Sequence, residues 1–455
     1  MDAEGTRPKT TRGDRTRRSS QTMADLKTCP PLTRDSVQKA HKRIEPYIHR
    51  TPTVTNVTIN QIASTPQSQR CSSSGPNVAS EPAPHSKDQN GSAASHTANP
   101  KVKLFFKCEN QQKIGAFKAR GAFHALGRLI EEEGIENVRR KGVVTHSSGK
   151  CIPTLYQNTA LTIAGNHAQA LALAAKTHAI PAHIVMPTIS TPSKISGTKS
   201  YGANVIFSGS TSDEREAVVA DVIKETGATL VPPYDHPDII LGQGTQALEL
   251  EQQAEGLIAA DPSVGVPGKG KLDAVIAPIG GGGMLSGICT ALHGTGIKVF
   301  GAEPNFEGAN DAELGLKQNK RIEKVKTLTI ADGLRTPVGD IPWSVITDKS
   351  KLEGIYSVSE EQIKAALRLA MERAKLFIEP SAAVPLAVML YNEDFRRLVE
   401  REAGEEGWNV GIILSGGNTT MEAIASLFAA PAKREERAES KLGVNGEKVA
   451  ENVAG

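Results

Sequence analysis

Short apolar runs alternate with helical patterns along most of this chain, and this alternation restricts its fold more than any other feature. The apolar runs are typical of buried strands and lie at 141–146, 182–187, 204–209, 273–279, 298–304 and 410–417. The helical patterns lie at 116–132, 166–177, 211–226, 284–292, 359–374 and 381–390. Strands that alternate with helices form parallel sheets with helices on both faces. We therefore predict an α/β protein with parallel twisted sheets, in which ligands bind beyond the carboxyl ends of the strands.

Three polar segments flank or interrupt this pattern. Residues 64–100 contain no Leu, Ile, Phe, Tyr or Trp. Such a composition cannot bury enough apolar surface to offset the entropy of ordering, so we predict a disordered insertion there. We also predict that residues 1–22 are a disordered extension and that residues 429–455 are a disordered tail. Residues 1–22 lack the apolar core of a secretory signal.

Composition excludes several functional classes. The chain carries 53 Lys and Arg against 50 Asp and Glu, and only 4% of its residues are aromatic, which argues against a nucleic-acid binder. No apolar run approaches the roughly 18 residues that a membrane span requires. The five cysteines form no C-x-x-C motif, so we expect neither a disulfide framework nor a zinc site. We predict a cytoplasmic protein, with a mitochondrial location directed by residues 1–22 as the alternative.

Four consecutive glycines, Gly280, Gly281, Gly282 and Gly283, stand between a predicted strand and a predicted helix. Their backbone can turn several N–H groups onto one anion, and the helix that follows adds its positive end. Neither a Walker A loop nor G-x-G-x-x-G fits the sequence. A flexible linker is the alternative, but a linker would not separate a buried strand from an apolar helix. The motif therefore predicts a phosphate-binding loop.

Three further motifs follow strands or open helices. Lys118 stands at the start of a predicted helix, where the dipole opposes its charge and lowers its basicity, which suits Schiff-base chemistry. A solvated surface lysine is the alternative reading. Ser-Ser-Gly at 147–149 ends one strand. Later in the chain, Asn166 and His167 open a helix, with Asn166 as its predicted N-cap. The fourth motif, Ser-Gly-Gly-Asn at 415–418, is by itself only a turn.

Together these motifs resemble those of the fold-type II pyridoxal-phosphate enzymes of the serine racemase and serine/threonine dehydratase group. The resemblance extends from Leu32 to about Phe428 and includes YIHRTP at 47–52, GQGTQALE at 242–249 and FIEPSAA at 377–383. It implies two lobes with pyridoxal phosphate between them. We assign residues 23–141 and 235–428 to the large lobe and residues 142–234 to the small lobe.

The resemblance also implies a set of cofactor contacts. Lys118 would carry the cofactor as a Schiff base, and Ser415 and Asn166 would contact the pyridine nitrogen and the ring hydroxyl. The phosphate would lie on the glycine loop. The implied cofactor residues are Phe117, Lys118, Asn166, Gly280, Gly281, Gly282, Gly283, Met284 and Ser415.

Substrate and metal contacts are implied in the same way. The substrate carboxylate would bind Ser147, Ser148, Gly149 and His167, with help from Arg215. A divalent cation, Mg²⁺ or another, would bind Glu303, the carbonyl of Ala309 and Asp311. Solvated loop carboxylates are the alternative, because residues 305–307 lengthen the spacer of that motif.

The implied reaction is β-elimination from L-serine, L-threonine or 3-hydroxyaspartate to give a keto acid and ammonia, with serine racemisation as a second activity. Lys118 would remove the Cα proton, and Ser148 would return a proton to the opposite face. We expect a homodimer. The alternatives are a β-replacing synthase of the same fold and a catalytically impaired protein.

Impairment is an alternative because residues 150–165 interrupt the motif that runs from Ser-Ser-Gly directly into Asn-His in the family. These 16 residues correspond to 48 nucleotides, which keep the reading frame. The codons of Gly149, Lys150 and Cys151 can spell GGTAAGTGC, which contains a splice-donor-like sequence. We interpret residues 150–165 as a retained intron, with a genuine surface loop as the alternative.

Overall fold

A computed structural model describes residues 26–67, 97–146, 165–190, 192–209 and 211–429. The predicted disordered extension at 1–22 lies outside these residues, as does the tail beyond Ala429. The segments 68–96 and 147–164 also lie outside them. None of the helices in the described part of the chain is long and apolar enough to cross a membrane.

Ten strands form two separate sheets in the described residues. They are β1 (Thr53–Thr55), β2 (Val102–Cys108), β3 (Val143–His146), β4 (Ala182–Pro187), β5 (Asn204–Ser208), β6 (Thr229–Leu230), β7 (Ala274–Pro278), β8 (Lys298–Pro304), β9 (Gly354–Val358) and β10 (Trp408–Leu414). The larger sheet has the order β1-β2-β10-β7-β8-β9, and the smaller has the order β5-β4-β3-β6. Only β1 is antiparallel to its neighbour. The prediction of an α/β fold with parallel sheets is confirmed.

Fifteen α-helices accompany these strands in the described part of the chain. They are α1 (Arg34–Ile44), α2 (Val57–Ala63), α3 (Lys118–Glu133), α4 (Ile135–Lys141), α5 (Asn166–Thr177), α6 (Pro192–Ser200), α7 (Ser212–Thr226), α8 (Pro237–Ala260), α9 (Gly283–Leu292), α10 (Asp311–Gln318), α11 (Asp340–Ile346), α12 (Glu360–Leu369), α13 (Pro380–Tyr391), α14 (Glu393–Ala403) and α15 (Met421–Phe428).

The large sheet is buried on both faces. Adjacent residues of one strand point to opposite faces, so Phe106 packs in the cluster that contains α13, whereas Phe105 packs in the cluster that contains α8 and α9. Ile412 and Ile413 of β10 divide between the same two clusters. Burial on both faces explains why these strands appear in the sequence as continuous apolar runs rather than as alternating patterns.

The ends of the predicted disordered segment 64–100 are ordered and packed, which corrects its bounds. Arg396 is fully buried and donates to the carbonyl oxygens of Ala63 (2.9 Å), Thr65 (2.7 Å) and Ala98 (3.0 Å). Thr65 and Ala98 therefore meet at one guanidinium group. The polar composition of the segment gave no sign of this, because the contacts use main-chain carbonyls.

Removal of residues 68–96, with a short Gly-Ser linker in their place, should leave the unfolding midpoint and the kinetics within a small factor of the intact chain. The linker is feasible because Thr65 and Ala98 bind the same Arg396 nitrogen. Removal of 64–100 should instead destabilise the fold by about 3 kcal/mol, because the buried Arg396 charge loses two of its carbonyl acceptors, those of Thr65 and Ala98. Denaturant unfolding of the two deletions distinguishes these cases. Equal stability of both would contradict the structural role of Arg396.

Candidate active site

A cavity of about 670 Å³ opens beyond the carboxyl ends of β7 and β10. This is the location expected for a ligand site in a parallel sheet. The nine residues predicted to hold the cofactor all line it: Phe117, Lys118, Asn166, Gly280, Gly281, Gly282, Gly283, Met284 and Ser415. Phe117 and Lys118 lie at the start of α3, and Asn166 begins α5 beside the small sheet. The glycines and Met284 follow β7, and Ser415 follows β10, both in the large sheet.

Lys118 is the first residue of α3 and extends its amine into the cavity. Its Nζ donates to the carbonyl oxygen of Pro233 at 2.8 Å and lies 5.2 Å from the centre of the Phe117 ring. Burial lowers the pKa of Lys118 to about 8. Because no carboxylate opposes this effect, far more of the amine is neutral near physiological pH than in an exposed lysine, which suits a nucleophilic or basic role.

The glycine loop packs closely against Tyr234, which leaves no room for side chains on it. A side chain at Gly281 would lie 2.4 Å from the Tyr234 ring, and one at Gly283 would lie 2.8 Å from the Tyr234 carbonyl. Gly282 has φ of +88°, a conformation that glycine adopts readily, and is the N-cap of α9. The first N–H groups of α9 have no partner within the helix and face the cavity end of the loop. The loop can therefore bind a phosphate through main-chain donors.

Main-chain hydrogen bonds join the Lys118 segment to the Ser415 segment. The Phe117 N–H donates to the Ser415 carbonyl at 3.1 Å, and the Gly417 N–H donates to the Gly115 carbonyl at 2.9 Å. Ser415 itself is buried and lines the cavity. The main chains of the Lys118 and Ser415 segments are thus fixed relative to each other.

Asn166 does not cap its helix, which corrects the prediction. Gly165 is the N-cap of α5, and Asn166 is the first helical residue. The Asn166 side chain is instead engaged in the site, where its Nδ2 lies 3.3 Å from Glu379 Oε1 and its Oδ1 accepts from Asn418 Nδ2 at 2.6 Å. These contacts direct the side chain away from the helix end.

His167 is buried beside the cavity in its neutral form. Its Nε2 lies 3.1 Å from the Val231 carbonyl, which can only accept, so Nε2 carries the hydrogen and Nδ1 carries a lone pair. Burial, with the nearby charge of Lys118, lowers the pKa of His167 to about 3. The neutral ring therefore has no donor left for a carboxylate. The His167 main-chain N–H, in the first turn of α5, is the group that can serve the predicted carboxylate contact.

The other predicted substrate residues are not brought to the cavity by the described part of the chain. Ser147, Ser148 and Gly149 lie outside the described residues. Arg215 is buried in α7 and is not among the described residues that line the cavity.

Glu303 and Asp311 form a buried carboxylate pair next to Ala309. Glu303 accepts from the N–H groups of Ala312 (3.1 Å) and Glu313 (3.0 Å), and Asp311 accepts from the Val338 N–H at 3.1 Å. Burial and the charge of Asp311 raise the pKa of Glu303 well above its usual value, and burial raises the pKa of Asp311 to about 7. Within the described residues neither carboxylate has a Lys or Arg partner. A cation would relieve this unfavourable arrangement.

Sequence reasoning missed Glu379 and Tyr234, which also line the cavity. Glu379 belongs to the FIEPSAA motif at 377–383, one of the motifs that carry the family resemblance, but the sequence suggested no role for this residue. Tyr234 lies in an unremarkable loop after β6. Burial raises its pKa to about 12, so its hydroxyl stays protonated.

A buried ion network that sequence reasoning also missed fixes the start of α3. The Arg120 guanidinium donates to both Glu109 oxygens at 2.8 Å and to both Glu249 oxygens at 2.7 and 2.8 Å. Lys107 donates to Glu249 at 2.6 Å. The two buried cations, Arg120 and Lys107, are thus neutralised by two buried carboxylates. Since Arg120 is two residues from Lys118, this network limits how far the amine can shift.

Comparison with known proteins agrees with this geometry. A family model described as "pyridoxal-phosphate dependent enzyme" matches residues 154–416. The chain is 36% identical to a serine racemase of Dictyostelium discoideum over 402 residues, which are 87% of this chain and 98% of that protein. It is 36% identical to an L-threo-3-hydroxyaspartate ammonia-lyase of Saccharomyces cerevisiae over 331 residues, which are 72% of this chain and 86% of the relative. The structure of maize serine racemase superposes with a TM-score of 0.65 at 34% identity, and the match covers 87% of this chain and 96% of that one.

Proposed function

Because this chain belongs to the pyridoxal-phosphate-dependent enzymes of fold type II, in the group of racemases and ammonia-lyases, we propose that it acts on small hydroxy amino acids. The proposed main reaction is β-elimination from L-serine, L-threonine or 3-hydroxyaspartate, which gives a keto acid and ammonia. Interconversion of the serine enantiomers is the second proposed activity. The observation that carries the proposal is a desolvated lysine with a lowered pKa beside a main-chain anion site in one cavity.

The cavity fits pyridoxal phosphate by the chemistry of its residues. The primary amine of Lys118 would hold the aldehyde carbon, and the N–H groups from Gly280 to Met284 would hold the phosphate. Ser415 would donate its hydroxyl hydrogen to the pyridine nitrogen, and Asn166 would contact the ring hydroxyl. When bound, the cofactor withdraws electrons from the substrate Cα and so weakens its bond to hydrogen.

The proposed roles in proton transfer fall to two residues. Lys118 Nζ is basic enough and dry enough to accept the Cα proton of an L-amino acid. Ser148 is proposed to return a proton to the other face of Cα, which inverts the configuration. When the β-hydroxyl leaves instead, as water, hydrolysis yields the keto acid and ammonia. The main-chain N–H groups of Ser147 to Gly149 and of His167 would hold the substrate carboxylate.

We also propose that Glu303, Asp311 and the Ala309 carbonyl bind Mg²⁺ or another divalent cation. Oxygen ligands of this kind suit hard cations. The raised pKa values show that the two buried carboxylates are poorly stabilised as anions, and a bound cation would stabilise them.

We further propose that residues 23–141 and 235–428 form the large lobe, that residues 142–234 form the small lobe, and that the protein is a homodimer. Light scattering of the purified chain tests the last of these.

Release of keto acid across a panel of hydroxy amino acids tests the proposed function. Turnover of at least one of L-serine, L-threonine and 3-hydroxyaspartate is expected, with ammonia in equal amount. A β-replacing synthase would instead consume serine only when a thiol is added and would retain the amino group in its product. That outcome would contradict the proposal.

Ser148→Ala should separate the two proposed activities. The variant removes the acid on one face but keeps Lys118, so racemisation and D-serine turnover should fall by about 10²-fold or more, whereas L-serine elimination should fall less. Ser147→Ala is the matched control, because it removes a neighbouring hydroxyl but keeps the main-chain N–H. Chiral chromatography and keto acid assays give both rates. Equal losses for the two enantiomers would assign Ser148 another role.

A further inference from the structure

Three polar side chains form a continuous hydrogen-bonded network at the edge of the cavity, which we call the amide network: Asn418, Asn166 and Glu379. Asn418 Nδ2 donates to the Ile114 carbonyl at 2.7 Å and to Asn166 Oδ1 at 2.6 Å. Asn166 Nδ2 in turn faces the Glu379 carboxylate, at 3.3 Å from Oε1 and 3.5 Å from Oε2. The network therefore runs from the segment before Lys118, through the first residue of α5, to the residue before α13.

The two ends of the amide network fix the direction of every hydrogen bond in it. The Ile114 carbonyl can only accept, so Asn418 must present its NH₂ group there. Both hydrogens of that group are then used, and Asn166 must offer its oxygen to Asn418. The Asn166 NH₂ group is left for the Glu379 carboxylate, which also accepts. The reverse orientation would set two NH₂ groups against each other and an amide oxygen against a carboxylate.

Backbone geometry shows that Asn418 is tightly held. Ile114 has φ of +62°, a left-handed conformation that costs a β-branched residue free energy, and Gly115 follows with φ of +72°. A side chain at Gly115 would lie 2.5 Å from Asn418 Oδ1. The Glu379 N–H donates to the Gly416 carbonyl at 3.0 Å, which joins the other end of the network to the Ser415 segment. The amide of Asn418 therefore has little freedom to turn over.

We propose that Asn418 and Glu379 are positioning residues that make Asn166 present a hydrogen-bond donor, not an acceptor, to the oxygen on the cofactor ring. One Asn166 Nδ2 hydrogen points to Glu379, and the other remains for the cavity. A donor at this place stabilises the ring oxygen in its deprotonated form. This inference rests on the proposed function, because it takes Asn166 as the residue that contacts the ring hydroxyl.

Asn418→Asp in the holoenzyme tests the proposal, with the absorption spectrum of the bound cofactor as the readout. A carboxylate at position 418 accepts instead of donating, so it should draw the Asn166 NH₂ group toward itself and away from the ring oxygen. The pH at which the bands of the protonated and deprotonated ring oxygen are equal should then rise by about one unit, a tenfold change in proton affinity. Asn110→Asp is the matched control. Asn110 donates to the Phe377 carbonyl at 3.1 Å, near Gly417, so this variant adds the same charge and removes a similar bond without a contact to Asn166.

A double-variant comparison decides whether Asn418 acts through Asn166. In an Asn166→Ala background, Asn418→Asp should cause no further shift of the band ratio. A shift of equal size in both backgrounds, or an unshifted spectrum in Asn418→Asp, would overturn the proposal. If the aspartate variant folds poorly, the uncharged variant Asn418→Ala can replace it in the same comparison, with a smaller shift expected. Failure of the proposed function is distinguishable, because the parent chain would then show neither band and no borohydride adduct on Lys118.

Discussion

Lys118→Ala should lower keto acid release from L-serine by at least about 10³-fold, because the variant loses both the covalent holder of the cofactor and the proposed base. The cavity offers no second amine, since Lys118 is the one lysine among the described residues that line it. The visible absorbance of the Lys118-linked cofactor should disappear in the same variant. Steady-state kinetics and a spectrum of the dialysed protein measure both effects.

Borohydride reduction makes this prediction specific to one lysine. Reduction of the parent enzyme followed by peptide mapping should place a pyridoxyl group on Lys118. Lys113→Ala is the matched control, because Lys113 lies five residues earlier in the same segment but does not line the cavity. That variant should keep both the adduct and the activity. An adduct on another lysine would contradict the assignment of Lys118 and, with it, the cofactor site.

Several strands and helices could be predicted from the sequence with accurate bounds. The runs 182–187 and 298–304 coincide with β4 and β8, and the pattern at 166–177 coincides with α5. These segments combine an uninterrupted apolar or helical pattern with clear turn residues at both ends. Other elements were not predicted, among them the strands β1, β2, β6 and β9 and the long helix α8. β9 is a half-buried edge strand with polar neighbours, and α8 contains two glycines near its start that resemble a break.

The cavity residues were predictable for a different reason, because they belong to short motifs at the ends of strands. Gly280 to Gly283 and Lys118 carry a chemical meaning that a single sequence can show. Hydrogen-bond direction cannot be read in this way. The neutral state of His167 depends on the Val231 carbonyl, 64 residues away along the chain, and the amide network depends on residues from three separate segments. Likewise Arg396 binds carbonyls of Thr65 and Ala98, which the composition of segment 64–100 gave no reason to expect.

Deletion of residues 150–165 should raise the turnover of L-serine by about 10²-fold. The connection from β3, which ends at His146, to α5, which begins at Asn166, is 19 residues long. Connections between a strand and the next helix in folds of this type usually have two to six residues. The deletion leaves Ser147, Ser148 and Gly149 as a three-residue connection, which lies within that range.

The structure at the start of α5 is compatible with the deletion. Gly165 is the N-cap of α5, and its carbonyl accepts from the Gln169 N–H at 3.0 Å. After deletion Gly149 occupies this position, so the residue type before Asn166 is unchanged. Asn166 remains fixed by Asn418 and Glu379 in either form. The fold should therefore survive the deletion, and the longer connection itself costs only about 2 kcal/mol of closure entropy.

The expected gain comes from the Ser-Ser-Gly segment and not from the helix. Ser148 and the N–H groups proposed to bind the carboxylate would act only if they are held against the substrate, and a displacement of about 1 Å can cost about 10²-fold in rate. A direct link to Asn166 would restrain them, and the 16 added residues lengthen that link. Sequencing of the mature transcript and kinetics of the two proteins test the interpretation together. The retained-intron interpretation is wrong if the transcript keeps these 48 nucleotides and the intact chain turns over serine as fast as the shortened one.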